Sequence, residues 1–256
     1  MTTIRTLAFA APDGSSWGAA WLPADEGSAA LAYRIGTRAG VAETRLEARA
    51  ADEPWRVQGA GVSLVFTPAG PSGHGRSAES GIDSTDQLCA VDGRVVVEED
   101  ASEISCTGWR STVGGDVDLS AIDSFRHASA WFDPAHGLSL LALRPRRARG
   151  QDADLVAASL LEREPTPRVA DPRLSTTYDA AGLPARVGLE LWLESESSGE
   201  EPEEDSDHQF PRRAAGESIG PGVDWELAGF KLHAALLRWH SQGDDGAGVY
   251  LLGQRE

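Results

Sequence analysis

The chain has 256 residues, and its 23 lysines and arginines against 40 aspartates and glutamates give a formal net charge of −17. Binding to nucleic acid or to anionic lipid requires a basic face, which is not expected in such an acidic chain. We therefore expect neither partner. The hydrophobic content of 41% is enough for a sizeable core, and no run approaches the roughly 18 apolar residues of a membrane span.

The chain start and the cysteines predict a cytoplasmic protein. The segment MTTIRTLAFAAPDG lacks the hydrophobic core of a secretion signal. Cys89 and Cys106 are the two cysteines, and they lack the CxxC spacing of a zinc site or the number needed for a disulfide scaffold. We expect both to be buried, reduced thiols.

The first half of the chain has the periodicity of β-strands. Runs of β-forming residues with alternating polarity are cut by Gly, Pro and Asp. The predicted strands cover Ile4 to Ala10, Ser16 to Leu22, Ala29 to Ile35, Val41 to Ala48, Trp55 to Thr67 with a bend at Gly59 and Gly61, and Ser102 to Thr112. Residues 68–80 resemble a loop, and Val91-Asp92-Gly93 predicts a hairpin turn between Asp86 to Ala90 and Arg94 to Glu98.

The second half continues the pattern. Ser124 to Phe132 and Leu138 to Arg144 form a predicted hairpin, and Leu155 to Leu161 suits either a strand or a short helix. Further strands are predicted at Leu174 to Tyr178, Ala185 to Leu193, Trp225 to Trp239 with Gly229 inside, and Val249 to Gln254. On the order of fifteen strands predict an all-β sandwich or barrel with few short helices.

Two charged segments differ from the strands. Residues 194–207 hold eight acids and no large apolar residue, which predicts a mobile, solvated loop, with cation capture as the alternative. Residues 144–150, RPRRARG, form a basic patch in an acidic protein. The patch either pairs with nearby acids or lies at a pocket rim where it meets an anionic ligand.

Common catalytic motifs are missing from the sequence. There is no Walker loop, no GxGxxG after a strand, no GxSxG nucleophile elbow and no HExxH. His127, His233 and His240 could meet as metal ligands, but scattered histidines in strands are more often surface or core residues. We therefore predict no metal and no cofactor.

The candidate catalytic residues are polar side chains on predicted strands. Glu190 lies between Gly188 and Trp192, which suits a wall that a ligand approaches closely and equally an exposed outer face. In a dry pocket the pKa of Glu190 or Asp123 would be raised, so either carboxyl could donate a proton. His127 or Tyr178 would relay or orient that proton.

The candidate ligand-binding residues are tryptophans, arginines and one further histidine. Eight tryptophans against three tyrosines is a high share, explained by core packing or by a ring-binding pocket. Arg126 or Arg144 would hold a polar end of the ligand. The residues predicted to line the cavity are Trp109, Trp131, Trp192, His233 and Trp239.

Several runs resemble a known family. They are IDSFRHASAWF at 122–132, LRP at 143–145, LSTTYD at 174–179, GLP at 182–184 and GLELW at 188–192, with similar closing strands at 229–251. These runs resemble the lipocalin-like superfamily of carotenoid 1,2-hydratases (hydroxyneurosporene synthases) and AttH-like proteins. The resemblance covers roughly the last 130–150 residues and implies two lipocalin-like barrels or sheets packed together, no cofactor, and a pocket for an apolar small molecule.

The sequence therefore predicts two lipocalin-like β domains, residues 1–115 and 116–256. The expected partner is a hydrophobic small molecule, and the expected state is a monomer or homodimer. As an enzyme, the protein would be a cofactor-free hydratase, cyclase or isomerase acting by acid catalysis on a terpenoid or polyketide-like substrate. The alternative is a non-catalytic carrier or chaperone of a lipid-like molecule.

Overall fold

The structure is a computed structural model that describes residues 3–23, 29–48, 50, 52–77, 81–115, 117–150, 153–162, 166–194 and 211–256. Apart from Glu194, the acidic segment 194–207 lies outside the described residues. Antiparallel strands dominate the described part, which has one short 3-10 helix at Leu119–Ala121. None of its helices has the length and apolar character needed to cross a bilayer.

The first eight strands form a closed barrel, because β1 pairs with β8 as well as with β2. Their interior side chains are the apolar half of each alternating strand, such as Leu7, Phe9 and Leu31. The strands are β1 (Ile4–Ala10), β2 (Ser16–Pro23), β3 (Ala29–Ile35), β4 (Arg38–Glu47), β5 (Trp55–Gly59), β6 (Val62–Ser77), β7 (Ile82–Val97) and β8 (Asp100–Gly115).

The remaining nine strands form a second antiparallel sheet in the order β11-β10-β9-β17-β16-β14-β13-β12, with β15 paired to β16. The sheet curls, since Thr176 of its last strand shares a hydrogen bond of 3.0 Å with Tyr250 near its centre. The strands are β9 (Ile122–Asp133), β10 (His136–Pro145), β11 (Leu155–Leu161), β12 (Val169–Tyr178), β13 (Pro184–Leu193), β14 (Arg212–Ser218), β15 (Val223–Leu227), β16 (Phe230–Ser241) and β17 (Asp244–Arg255).

The all-β prediction is confirmed, and several strand boundaries are corrected. Residues 55–67 do not form one bent strand, because Gly59 pairs with Val62 across a tight turn between β5 and β6. Residues 68–77 are not a loop; β6 continues to Ser77 after a register shift between Pro68 and Ser72. The stretch suited to a strand or a helix at Leu155–Leu161 is a strand.

Two turns also lie elsewhere than predicted. Val91-Asp92-Gly93 is inside β7, where Gly93 has a φ of 144° and a Cβ would lie 2.0 Å from the carbonyl oxygen of Ser63. Gly93 therefore permits a close approach of two strands instead of a turn. Ala228 and Gly229 both have positive φ, at 54° and 72°, and they form the tight turn that divides the predicted long strand into β15 and β16.

The barrel packs against the second sheet through a layer of buried apolar side chains, called here the aromatic layer. Trp21 of the barrel stacks on Phe125 of the second sheet with centroids 4.7 Å apart, and both rings meet Phe230 edge-on. Five of the eight tryptophans lie in this layer: Trp17, Trp21, Trp109, Trp131 and Trp225. The aromatic layer is thus the place where most of the tryptophans are buried.

Candidate functional site

A buried carboxylate lies at one side of the aromatic layer. The alternation of β7 directs Asp86 away from the barrel interior and toward the second sheet, where the residue is 1% exposed. Its Oδ1 accepts a hydrogen bond of 3.0 Å from the indole Nε1 of Trp109. Its Oδ2 accepts bonds from the hydroxyls of Ser159, at 2.6 Å, and Ser84, at 3.1 Å. Three donors therefore compensate for the water that the carboxylate has lost.

A buried imidazole faces the same layer from the second sheet. His127 on β9 is 5% exposed, and its Nε2 shares a hydrogen bond of 3.2 Å with the hydroxyl of Ser139. Ser139 is the direct cross-strand partner of Ser159, which donates to Asp86. A strip of serine hydroxyls thus runs across β10 and β11 between the imidazole and the carboxylate.

The charge state of His127 follows from its burial. Burial lowers the pKa of His127 to about 4, an effect that the negative charge of Asp86 opposes. The imidazole is therefore neutral at pH 7, and each of its nitrogens can act as either donor or acceptor according to the tautomer. The neutral imidazole can accept a proton, and the nearby carboxylate partly offsets the burial that disfavours the imidazolium.

The structure therefore brings three predicted residues, His127, Trp109 and Trp131, to the aromatic layer. Asp86 was missed at the sequence level, although a signal was present. In β7 it shares a face with Ile82 and Leu88, and a carboxylate on the apolar face of a strand indicates a buried polar contact. Its partner Ser159 is 73 residues away in the sequence, so the contact itself could not be read from β7.

The two carboxyls predicted as proton donors lie elsewhere. Glu190 is on the outer face of β13, where its Oε1 accepts a hydrogen bond of 2.9 Å from Arg213. Asp123 is exposed at the start of β9. Neither carboxyl lies in the dry, apolar interior that the predicted role of proton donor requires.

The predicted arginines and Tyr178 lie on the opposite face of the second sheet from His127. Arg126 and Arg144 both bind Asp154, and Tyr178 interacts with the buried phenol of Tyr250. Trp239 is fully buried in the interior of the same curled sheet. These residues lie on the face of the second sheet that points away from the aromatic layer.

The remaining predicted residues are separate from both groups. His233 is buried beside Asp224, with Nδ1 2.7 Å from Oδ1, and Trp192 is half-buried on the outer face of β13. His240 is exposed and contacts Asp245, so the three candidate metal ligands do not meet. Within the described ranges, no group of three or more His, Cys, Asp or Glu side chains is arranged to hold a metal ion.

An open groove of about 420 Å³ crosses the outer face of the second sheet and reaches Trp239. Its rim carries the ion pair of Arg186 with Glu217 and the contact of His240 with Asp245. The groove is therefore charged, unlike the apolar pocket that the sequence predicted.

Comparison with known proteins identifies the fold. No protein-family model matches the chain, and no curated protein matches its sequence. A protein described as AttH from Nitrosomonas europaea superimposes with a TM-score of 0.64 at 12% identity, over 98% of this chain and 91% of that one. Kievitone hydratase from Nectria haematococca gives 0.60 at 8% identity, over 99% and 89%. CghA, crystallised with Sch210972, gives 0.59 at 10% identity, over 100% and 88%.

Identities this low establish the fold and nothing further. The match extends over nearly the whole of both chains, so it includes the barrel, the second sheet and the layer between them. The chain has the all-β, lipocalin-like fold of the AttH-type proteins.

Proposed function

We propose that the protein is a cofactor-independent enzyme that acts on an apolar small molecule by proton transfer, with Asp86 and His127 as the reacting pair. One observation carries the proposal: the barrel and the second sheet each bury one of these two groups in the same aromatic layer. Apolar walls select an apolar substrate, and the dry surroundings strengthen every charge interaction within them.

The proposed roles follow from the charge states. The neutral imidazole of His127 removes a proton from an activated carbon of the substrate, or from a water that attacks it. Asp86 stabilises the imidazolium, which then returns the proton to a second carbon. If the proton is taken from one carbon and given to another, the reaction is an isomerisation or a cyclisation. If the proton is taken from water and given to carbon while the hydroxide adds to the substrate, the reaction is a hydration.

The aromatic rings would bind the substrate and would take no part in the proton transfer. Trp109 and Trp131 present indole surfaces on the same layer as the reacting pair, and such surfaces pack well against the rings or chains of an apolar substrate. Since Asp86 is 1% exposed, a substrate contacts it by displacing side chains of the layer. The name of kievitone hydratase, a protein with the same fold, supports hydration as one member of this class of activity.

The test combines ligand identification with a product screen. Native mass spectrometry of the freshly purified protein identifies any apolar ligand that co-purifies, and that ligand and a panel of terpenoid and polyketide-like compounds are then offered as substrates. We expect a product with the wild type and a loss of at least about 100-fold in Asp86→Asn and His127→Gln. Glu103→Gln is the matched control, because Glu103 is exposed on the far side of the barrel.

The outcomes separate the enzyme from the carrier. A product that forms equally well in Asp86→Asn and His127→Gln contradicts the proposed roles. A ligand that co-purifies, exchanges and leaves the protein chemically unchanged supports the carrier instead.

A further inference from the structure

A second cluster of polar side chains lies at one end of the curled second sheet and takes no part in the proposed reaction. Arg126 is the neighbour of His127 on β9, so its side chain projects to the opposite face, toward the interior of the curled sheet. Arg126, Arg144, Asp154, Thr176, Tyr178 and Tyr250 are called here the arginine mouth.

The arginine mouth is built around one carboxylate shared by two guanidinium groups. Nη2 of Arg126 is 2.5 Å from Oδ2 of Asp154, and Nη1 of Arg144 is 3.1 Å from Oδ1. The Asp154 side chain is 6% exposed, whereas those of Arg126 and Arg144 are 28% and 36% exposed. The carboxylate therefore holds both guanidinium groups in place, while solvent still reaches their free N–H groups.

The loop that follows Arg144 adds further positive charge. Nη2 of Arg144 donates a hydrogen bond of 3.0 Å to the carbonyl of Gly150, which ties the end of the basic patch back to the mouth. Arg147 and Arg149 are exposed in this loop, and neither forms an ion pair within the described part of the chain. Two guanidinium groups thus contact one carboxylate, and two more lie in the loop that follows, in a protein whose net charge is −17.

Hydroxyl groups complete the mouth. The phenol of Tyr250 is fully buried, shares a hydrogen bond of 3.0 Å with Thr176, and also interacts with Tyr178 and Arg126. Tyr178 is 44% exposed, so part of its side chain is open to solvent. The planar guanidinium groups and the hydroxyls together have more hydrogen-bond donors than the two oxygens of one carboxylate can use. The remaining donors suit the several oxygens of a phosphate group.

We propose that the arginine mouth is a second ligand site, which binds the phosphate or diphosphate group of a small molecule between Arg126, Arg144 and the basic patch. Of the two interpretations of this patch in the sequence, the site corresponds to a pocket rim that meets an anion. It lies on the other face of the sheet from Asp86 and His127, so it functions independently of the reaction proposed there.

The experiment is a calorimetric titration of the full chain with inorganic diphosphate and orthophosphate at low ionic strength. We expect saturable binding of diphosphate with a dissociation constant below roughly 1 mM, weakening as salt is added. Arg144→Gln should weaken binding about tenfold, and Tyr178→Phe about threefold. Arg56→Gln is the control, because Arg56 is exposed on β5 of the barrel and should leave binding unchanged.

Further variants keep the test decisive if Arg144→Gln fails to fold. The exposed pair Arg147→Gln/Arg149→Gln should weaken binding at least threefold, because two positive charges beside the site are removed. Absence of saturable diphosphate binding, or equal binding in all arginine variants, overturns the proposal. So does binding of phosphatidate vesicles without binding of soluble diphosphate. Asp86→Asn should bind diphosphate normally, which separates this test from that of the proposed enzyme.

Discussion

Ser159 of β11 donates a hydrogen bond of 2.6 Å to the buried carboxylate of Asp86 on β7, and this bond joins the second sheet to the barrel. Trp109 and Ser84 satisfy the same carboxylate from within the barrel. The contact is therefore both a link between the two sheets and the polar centre of the aromatic layer.

The first prediction concerns that link. Ser159→Ala should lower the free energy of unfolding by about 1 to 3 kcal/mol, because a buried carboxylate loses one of its three donors. Urea unfolding followed by tryptophan fluorescence measures the change. Ser63→Ala is the control, since Ser63 is exposed on β6 and its replacement should change stability by less than about 0.5 kcal/mol. Equal stabilities of the two variants would show that the link contributes nothing.

The second prediction is a pH dependence caused by His127. Its pKa is lowered to about 4 in the folded chain, so the unfolded chain binds more protons between about pH 6.5 and 4. Stability due to the neutral imidazole is complete above pH 6.5 and is lost as the pH falls through this window. Between pH 7.5 and 5.0 the wild type should lose about 2 kcal/mol more than His127→Gln. Unfolding curves that fall in parallel for the two proteins would contradict it.

The third prediction concerns the rings that hold the sheets together. Phe125→Ala should cost roughly 3 to 5 kcal/mol, because it removes a fully buried ring from contact with Trp21 and Phe230. Phe132→Ala on the same strand should cost clearly less, since Phe132 is half-buried. Thermal unfolding monitored by near-ultraviolet circular dichroism compares the two. A smaller loss in Phe125→Ala than in Phe132→Ala would be inconsistent with the aromatic layer.

The fourth prediction concerns the thiols. Burial raises the pKa of Cys89 and of Cys106 to about 12, and both cysteines are free. Because only a thiolate attacks a disulfide reagent, labelling at pH 8 should be at least about 100-fold slower in the folded protein than in urea. Stopped-flow absorbance gives both rates. Rapid labelling of the folded protein would show that the thiols are accessible.

The sequence predicts best the strands whose ends are marked by Gly, Pro or Asp. β1 and β3 have their predicted bounds, and the hairpin of β9 and β10 forms as predicted with each strand one or two residues longer at its ends. The prediction failed where a glycine does not form a turn. Gly93 was expected in a hairpin turn, but it lies inside β7 and permits the close approach of a neighbouring strand.

The candidate site was less accessible to sequence reasoning. His127 and Trp109 could be singled out as polar or aromatic residues on strands, but their convergence on Asp86 depends on how the barrel docks on the second sheet. The residues around Glu190 suited a pocket wall as well as an outer face, and the structure places Glu190 on the outer face. Alternation defines the two faces of a strand, and only tertiary packing decides which face is covered.

Transfer of solvent deuterium to carbon reports directly on proton transfer by Asp86 and His127. The wild type, Asp86→Asn, His127→Gln and Glu103→Gln are incubated in D2O with the ligand that co-purifies, and mass spectrometry counts the deuterium bound to carbon. We expect incorporation by the wild type and by Glu103→Gln, with at least a 100-fold slower rate in the other two. Equal incorporation by all four proteins, or none by the wild type with ligand bound, would contradict it.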